Sequence, residues 1–544
     1  MITATNVVHP IEIAVRLTPS EVACLTSLIE AGEPLPVEFR SRLFPEPAGV
    51  ELTWPGKYAT RSDPNANTSE LRVIERYGPS QDSWRDRLIL GDNTPVLRAL
   101  LIGPIRDEIE AAGGLRLIYL DPPFLTGRRF DAEVPIGETP PGNPVRTIRL
   151  PAYHDGKTGG IASYLDTMLV RLSLMRDLLA DDGSLYFHCD HRLAASMRLL
   201  LDEVFGPNRL VNEIVWHYGL GNPGGRRAFA RKHDTILLYS KSDRYRFNRL
   251  RGEITPAMAG KYRHEDENGR YLLSYGKKYY LKGGKPLDTV WTIPTLAATD
   301  AERVGYPTQK PEALLERILL ASSNPGDLVA DFCCGAGTLP AVAARLGRRW
   351  LAADASPRAI QTARTRLLGS GVAGFDLLRF DGATLSLEDS GVVLVAVEVV
   401  ADTLRVRLVG FNAPSGAPTP CLDATGLVRE PRDGEARIPA PRRTAPRFDA
   451  WTDWIETWSV AIAHPSGAEE PNPFTPIWWT ARSGRNRTLA LVADSIPMPD
   501  LGLWRVTVQA VDVLGRTSWA TTVVERHVDT QRQAFMPEGG AHDP

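Results

Sequence analysis

The sequence predicts an α/β protein: a doubly wound, mostly parallel sheet, followed by an all-β domain at the C-terminal end. Three observations predict it. Short apolar runs alternate with amphipathic helical stretches between about residues 86 and 370, the pattern of repeated βαβ units. Two of those runs, Leu115–Leu120 and Leu328–Ala330, stop at an acid and a turn, Asp121 and Asp331. Beyond residue 386 the helical period gives way to short alternating stretches.

The bulk numbers set limits. At 544 residues the chain is too long for one core. It is 43% hydrophobic and 24% charged, an ordinary globular composition. Its five cysteines are scattered, without a CxxC pair or zinc spacing, so neither a disulfide framework nor a metal site is expected. Adjacent Cys333 and Cys334 read as small packing residues. No basic-then-apolar leader and no run of 18 apolar residues occurs, so a soluble, cytoplasmic protein without a membrane partner is expected.

In chain order, residues 1–85 form an N-terminal extension with one helix, started by the capping box Thr18-Pro19-Ser20-Glu21. Arg87–Leu90 leads into Gly91-Asp92-Asn93 and a helix; Asp92 either caps that helix or sets a carboxylate over a ligand. Leu115–Leu120 is a buried strand ended by Asp121-Pro122-Pro123-Phe124, since two prolines cannot extend a ladder. An acid, exposed carbonyls and a ring then stand at the carboxyl end of a strand, where open α/β sheets bind ligands. For an isolated tetrapeptide a plain turn is the commoner reading.

Thr126-Gly127-Arg128-Arg129 follows, then a Pro/Gly-rich loop to about residue 150. Gly156-Lys157-Thr158 is not a phosphate loop, because Pro151 replaces its upstream glycine and no strand precedes it. A core-facing helix spans 161–180. Ser184–His188 is the next strand, with Cys189-Asp190 at its end; His188 and Asp190 either line the site or serve the fold. Further strands are expected at Leu210–Trp216 and Thr235–Tyr239.

Residues 226–285 carry sixteen Lys/Arg, among them Arg226, Arg227, Arg231 and Lys232, against six Asp/Glu. That is +10 in a chain whose formal net charge is −2, and aromatics are interleaved throughout. Basic residues neutralise phosphates and rings contact bases, so nucleic acid is the expected partner rather than a merely solvated face.

The last unit of the sheet is Leu328–Asp331, then Cys333-Cys334-Gly335-Ala336-Gly337-Thr338, a helix, and a strand ending in Asp354. Glycines let backbone approach a ligand, and an acid at the end of the second strand accepts from ribose hydroxyls. A dinucleotide fingerprint needs a third glycine at 340, where Pro340 stands. With no pyrophosphate to cradle, the unit suits S-adenosylmethionine.

These blocks, with Asn212–Trp216 and Tyr306-Pro307-Thr308-Gln309-Lys310-Pro311, resemble the β-class amino-methyltransferases of DNA, notably modification subunits of type III restriction–modification systems. The resemblance covers roughly residues 50–370, and the catalytic half precedes the cofactor half. It implies a circularly permuted, Rossmann-like methyltransferase domain over 86–218 and 300–370, with a target-recognition insert at 219–299. It implies methyl transfer from S-adenosylmethionine to adenine N6 in double-stranded DNA with the target base flipped out.

Asp121 and the Pro122 carbonyl would hold the amine, Pro123 stiffen the turn, and Phe124 stack on the base. Asp331, Gly335, Gly337, Thr338, Asp354, Asp92 and Lys310 would bind cofactor. Arg128, Arg129, Arg226, Arg227, Arg231 and Lys232 would bind DNA. One position departs from the family: a phenylalanine expected at 333 is Cys333. Alternatives are methylation of cytosine N4, whose enzymes commonly carry Ser at position 121, and a catalytically weakened DNA-binding relative. With neither a helicase motif nor a nuclease triad, the chain would modify DNA, as a subunit of a restriction or defence system.

Beyond it, a β-hairpin is expected at 386–411, a Pro/Ala/Gly/Arg-rich linker at 412–446 and a β-sandwich-like domain at 447–530. Seven of the twelve tryptophans lie in that last part, as core or as interface. Partner docking, homodimerisation and DNA support are its candidate roles.

Overall fold

The computed structural model describes residues 18–30, 52–55, 57, 70–79, 84–138, 145–156, 159–219, 227–297, 299–372, 374–380, 391–413, 448–465, 473–482 and 487–527. The chain falls into two units, Met1–Leu52 and Thr53–Pro544. In the first, α1 (Pro19–Glu30) starts from a reciprocal cap: Thr18 N donates to the Glu21 carboxylate at 2.7 Å, and Glu21 N donates to Thr18 Oγ1 at 3.3 Å.

The second unit opens on β1 (Leu71–Tyr77) and β2 (Asp86–Leu90), then α2 (Asn93–Ile102), α3 (Ile105–Ala111) and β3 (Leu115–Leu120). A hairpin follows, β4 (Arg128–Pro135) and β5 (Thr147–Asp155). Next come α4 (Gly160–Leu178), β6 (Leu179–Cys189), α5 (Ala194–Phe205), β7 (Leu210–His217) and β8 (His233–Ser240). A short helix, α6 (Pro256–Ala259), precedes β9 (His264–Asp266), β10 (Gly269–Ser274), β11 (Lys277–Tyr280) and β12 (Val290–Thr292). The domain finishes with α7 (Glu312–Ser322), β13 (Leu328–Asp331), α8 (Thr338–Arg345), β14 (Arg349–Asp354), α9 (Pro357–Gly369) and β15 (Phe375–Phe380).

Ten strands form the main sheet in the order β1-β15-β2-β14-β13-β3-β6-β8-β7-β12. From β15 to β6 every pairing is parallel. Such strands are covered on both faces, which is why they read as unbroken apolar runs. Leu88, Ile89, Leu117, Ile118, Val329 and Ala352 are all fully buried. One face packs on α7, α8 and α9 through Leu314, Ile318, Leu339 and Ile360. α4 packs against both α2 and α5. The chain leaves β13 toward β14 and leaves β3 toward β6, in opposite directions. The neighbouring pair β13–β3 is therefore the topological switch point, where a crevice must open.

Several expectations change. The loop foreseen to about residue 150 is mostly the hairpin β4–β5, paired from Arg128↔Asp155 to Pro135↔Thr147. The sheet extends past 86 and 370, because β1 from the N-terminal extension pairs with β15. The insert drawn at 219–299 contains β8, a buried strand between β6 and β7, because Ile236–Tyr239 is apolar enough to lie inside the sheet. The basic segment is thus divided. Arg227–Lys232 precedes β8, and the small sheet β9–β11 leaves from its far end. The hairpin drawn at 386–411 is not separate either. β17 (Thr403–Asn412) pairs both with β16 (Val392–Val400) and with β20 (Val492–Pro497). Residues 414–447, most of the expected linker, lie outside the described residues.

β16, β17 and β20 make one layer of a sandwich. β18 (Ile455–Ala463), β19 (Trp478–Ala481), β21 (Gly502–Asp512) and β22 (Thr517–Arg526) make the other. Leu404, Val406 and Leu408 meet Trp458, Val506 and Val508 in a common core. Trp458 is fully buried in it, whereas Trp519 is exposed.

The sandwich covers α9, which explains that helix's buried polar residues. Arg358 and Gln361 both reach Glu456, at 3.3 and 3.1 Å. Arg364 donates to both oxygens of Glu75 at 2.7 and 2.9 Å, and Gln509 donates to the same carboxylate at 3.0 Å. Removing one partner of a buried pair strands the other charge. Arg364→Ala is expected to cost about 3–5 kcal/mol in denaturant unfolding, while Glu75→Gln/Arg364→Met costs less; equal losses would contradict this account.

Candidate active site

Acids stand at the carboxyl ends of three adjacent strands: Asp121 after β3, Asp331 on β13 and Asp354 on β14. Beside them lies a cavity of about 330 Å3, within the usual range for small-molecule sites. It is lined by all four residues of Asp121-Pro122-Pro123-Phe124, by Asp92, Lys310, Asp331, Gly335, Thr338 and Asp354, and by Cys333. A larger cavity, about 910 Å3, runs along α9 and includes none of Asp121–Phe124.

Asp121 is held asymmetrically. Lys310 Nζ hydrogen-bonds its Oδ2, and Nζ also donates to the Thr308 carbonyl at 3.2 Å. Its Oδ1 is buried without a hydrogen-bond partner. A buried acceptor left unpaired is costly unless a ligand supplies the donor. Behind Oδ1 stands His188, 0% exposed, with Nδ1 at 3.8 Å. His188 Nδ1 lies 2.8 Å from Tyr119 Oη, and Nε2 lies 3.3 Å from Asp234 Oδ2. The hydrogen bond to His188 holds the Asp234 carboxyl below its ordinary range, against the opposing pull of burial. His188 therefore supports the site from behind. Asp190 serves the fold, accepting from Arg192 N at 2.9 Å and from Arg192's guanidinium.

The turn after Phe124 is strained and tied down. Leu125 has φ 57°, a left-handed conformation costing about 1–3 kcal/mol. Buried Asp155, at the end of β5, compensates: it accepts from Leu125 N at 2.7 Å and from Thr126 N at 3.2 Å, and its carbonyl accepts from Gly127 N at 2.8 Å. The same hairpin brings Phe130 and Tyr153 into a stack at 4.9 Å, with Tyr306 next at 6.4 Å. Tyr153 Oη meets Thr308 Oγ1 at 3.0 Å. Asp155, Phe130 and Tyr153 escape sequence reasoning, because the hairpin reads as a loop. The alternation of Ile148, Leu150 and Ala152 was the available signal.

In the other half, Asp354 accepts from Gly335 N at 2.9 Å and from Ser356 N at 2.8 Å, and burial raises its carboxyl to about 6. Burial also pushes Asp331 well up, although Cys333 N donates to it at 3.0 Å. Gly335, φ 47°, faces Tyr306, whose ring would lie 3.2 Å from an added Cβ. Gly337 is a correction: it does not line the cavity. An added Cβ there would meet Ala363 Cβ at 2.8 Å, so this glycine allows α8 to pack on α9. Thr338 is held by Arg366 at 3.0 Å. Asp92 caps α2 at Thr94 N, 3.0 Å, and lines the cavity, paired to Arg171 at 2.7 Å. Asn93 Nδ2 donates to Cys333 Sγ at 3.4 Å, while Asn93 Oδ1 is buried and unpartnered. Lys310, expected at the cofactor, lines the cavity and hydrogen-bonds Asp121.

None of the described basic candidates for DNA lines the cavity. Arg128 and Arg129 are exposed on β4, Arg129 pairing with Asp131 at 3.2 Å. Arg227 and Arg231 are exposed before β8, and Lys232 donates to the Gly219 carbonyl at 2.9 Å. Arg226 lies outside the described residues.

Asp155→Ala removes the acceptor that holds Leu125 in place. Hydrogen exchange at the Leu125 and Thr126 amides is expected to accelerate at least about tenfold, as loss of roughly 1.4 kcal/mol of local protection requires. Unchanged exchange would show that the strain is held elsewhere.

Residues 115–365 match the family model described as DNA methylase, N6/N4 type. Over 375 residues the chain is 29% identical to the type II methyltransferase M.EcaI of Enterobacter cloacae, covering 59% of this chain and 78% of that protein. Over 187 residues it is 32% identical to the type II methyltransferase M1.MboII of Moraxella bovis, covering 33% of this chain and 69% of that one. The solved M1.HpyAVI–SAM complex is 18% identical with TM-score 0.31, over 52% of this chain and 98% of that chain. With the acidic turn and the glycine loop brought to one cavity, the family model and the likeness to M1.MboII show that the chain belongs to the N6/N4 DNA methylase family.

Proposed function

We propose that this chain transfers a methyl group from S-adenosylmethionine to the N6 amine of an adenine extruded from double-stranded DNA, as the modifying component of a restriction or defence system. The observation that carries the reading is the free Oδ1 of Asp121, a buried acceptor beside a cavity, a backbone carbonyl and the Phe124 ring. An exocyclic amine is a poor nucleophile because its lone pair is delocalised into the base. Asp121 Oδ1 and the Pro122 carbonyl accept its two hydrogens and turn the lone pair out of conjugation. Phe124 stacks on the base, which must leave the duplex to arrive. The proton released on transfer is taken at Asp121 Oδ1. Lys310 at Oδ2 and His188 behind Oδ1 keep that carboxyl in place. The gain comes from positioning and fixed electrostatics.

When bound, S-adenosylmethionine supplies an electrophilic methyl group. The residues present fit it. Asp354, lining the cavity, would accept from ribose hydroxyls, and Gly335 lines the cavity beside it. Asn93 Oδ1 offers a second unpartnered buried acceptor. Tyr153 and Tyr306 wall the cavity. Asp rather than Ser at position 121 favours adenine over cytosine.

Asp121→Ala should lower methyl transfer to a DNA substrate by at least roughly 100- to 1,000-fold, with DNA affinity nearly unchanged. Full transfer by that variant would overturn the assignment.

Asp354 gives a pH dependence. Its carboxyl is raised to about 6, so ionising it costs folding stability as pH rises through that value, and protonation below it relieves the cost. The ionised form is the better acceptor. Cofactor affinity, measured calorimetrically, should therefore weaken as pH falls through about 6, and Asp354→Asn should flatten that dependence. An unaltered profile in the variant would remove Asp354 from the cofactor site.

A further inference from the structure

We propose that Phe229 is the side chain that enters the DNA base stack and occupies the space left by the extruded base. The inference rests on the methyltransferase reading and adds a residue that neither the turn nor the glycine loop supplies. Extrusion leaves a gap that must be filled or collapse, and apolar side chains inserted into base stacks do this elsewhere in DNA recognition.

Phe229 is 99% exposed, so it contributes no packing to the fold. The ring stands wholly in water between exposed Arg227 and Arg231, on the loop that joins β7 to β8, where a partner can reach it. Topology fixes the end of the sheet at which β7 and β8 are joined. β7 runs parallel to β12 and antiparallel to β8, which is antiparallel to β6, so the β7–β8 connection lies at the carboxyl end of β6 and β3. This is the end that carries Asp121.

The base of the loop is clamped. His217 pairs with His233, Tyr218 N donates to the Lys232 carbonyl at 3.1 Å, and Lys232 Nζ returns to Gly219. Asp234, just past the clamp, bonds His188 behind the catalytic carboxylate. Phe229 is five positions from Asp234, a reach of at most about 18 Å. Arg227 and Arg231 flank the ring, exposed and without an ion-pair partner among the described residues, free to meet the phosphates on either side.

Tyr275 is the competing candidate. It is 100% exposed, at the β10–β11 turn with φ 47°. That turn belongs to the part of the basic segment that leaves β8 at Ser240, the opposite end from Asp121.

The test uses full-length protein and a duplex with 2-aminopurine at the base the wild type methylates. Wild type should raise the fluorescence on binding. Phe229→Ala should lose most of that rise and bind the duplex roughly 5- to 150-fold more weakly, the range for one lost aromatic–base stack. Its affinity for S-adenosylmethionine should stay unchanged. Phe229→Trp should restore extrusion, and a mismatch at the target base, which lowers the cost of extrusion, should rescue Phe229→Ala. If Phe229→Ala extrudes and binds like wild type, or if only Tyr275→Ala loses the rise, the proposal is overturned. If wild type itself transfers no methyl group to DNA, the methyltransferase reading falls first and the wedge with it.

Discussion

The contact between Lys310 and Asp121 joins the two halves of the permuted domain. The residues are 189 positions apart, one beyond β12 on the stretch leading to α7, the other at the tip of β3. Lys310 takes Oδ2, and Oδ1 is left buried and without a hydrogen-bond partner. Neither half forms this geometry alone. β13 must lie beside β3, and the strand order must reverse between them, before an ammonium and a carboxylate so far apart in sequence can meet.

Around that pair the site concentrates negative charge in a poorly solvated place. Asp121, Asp331 and Asp354 end three neighbouring strands, and burial raises the last two. The fold offsets this with backbone donors: Cys333 N on Asp331, and Gly335 N and Ser356 N on Asp354. Left-handed Leu125 and Thr308, the latter with φ 56°, add backbone strain near the site. Asp155 and Tyr153, both from one hairpin, hold them. The hairpin is thus a clamp on the site rather than a decoration of the sheet's edge.

Much of this was legible in the chain. Double burial makes parallel strands into continuous apolar runs, so β2, β3, β13 and β14 announce themselves, and their terminal acids and glycines mark the crevice. What was not legible has physical causes. β4 and β5 are half-exposed and carry prolines, so they read as loop, and the Asp155 clamp was hidden with them. Gly337 looked like a ligand contact because spacing does not distinguish a glycine that admits a ligand from one that admits a helix. The basic segment was drawn as one insert although a strand was expected at Thr235–Tyr239, because charge counts do not show that this strand pairs inside the main sheet. The N-terminal extension hid an edge strand whose partner, β15, lies about three hundred residues away.

The central claim is that the free oxygen of Asp121 receives the amine of an adenine. The most direct measurement is mass spectrometry of nucleosides from DNA incubated with the protein and S-adenosylmethionine labelled in its methyl group. The account predicts labelled N6-methyl-2′-deoxyadenosine with wild type and none with Asp121→Ala. Labelled N4-methyl-2′-deoxycytidine, or label in adenine that survives loss of the Asp121 carboxylate, would contradict it.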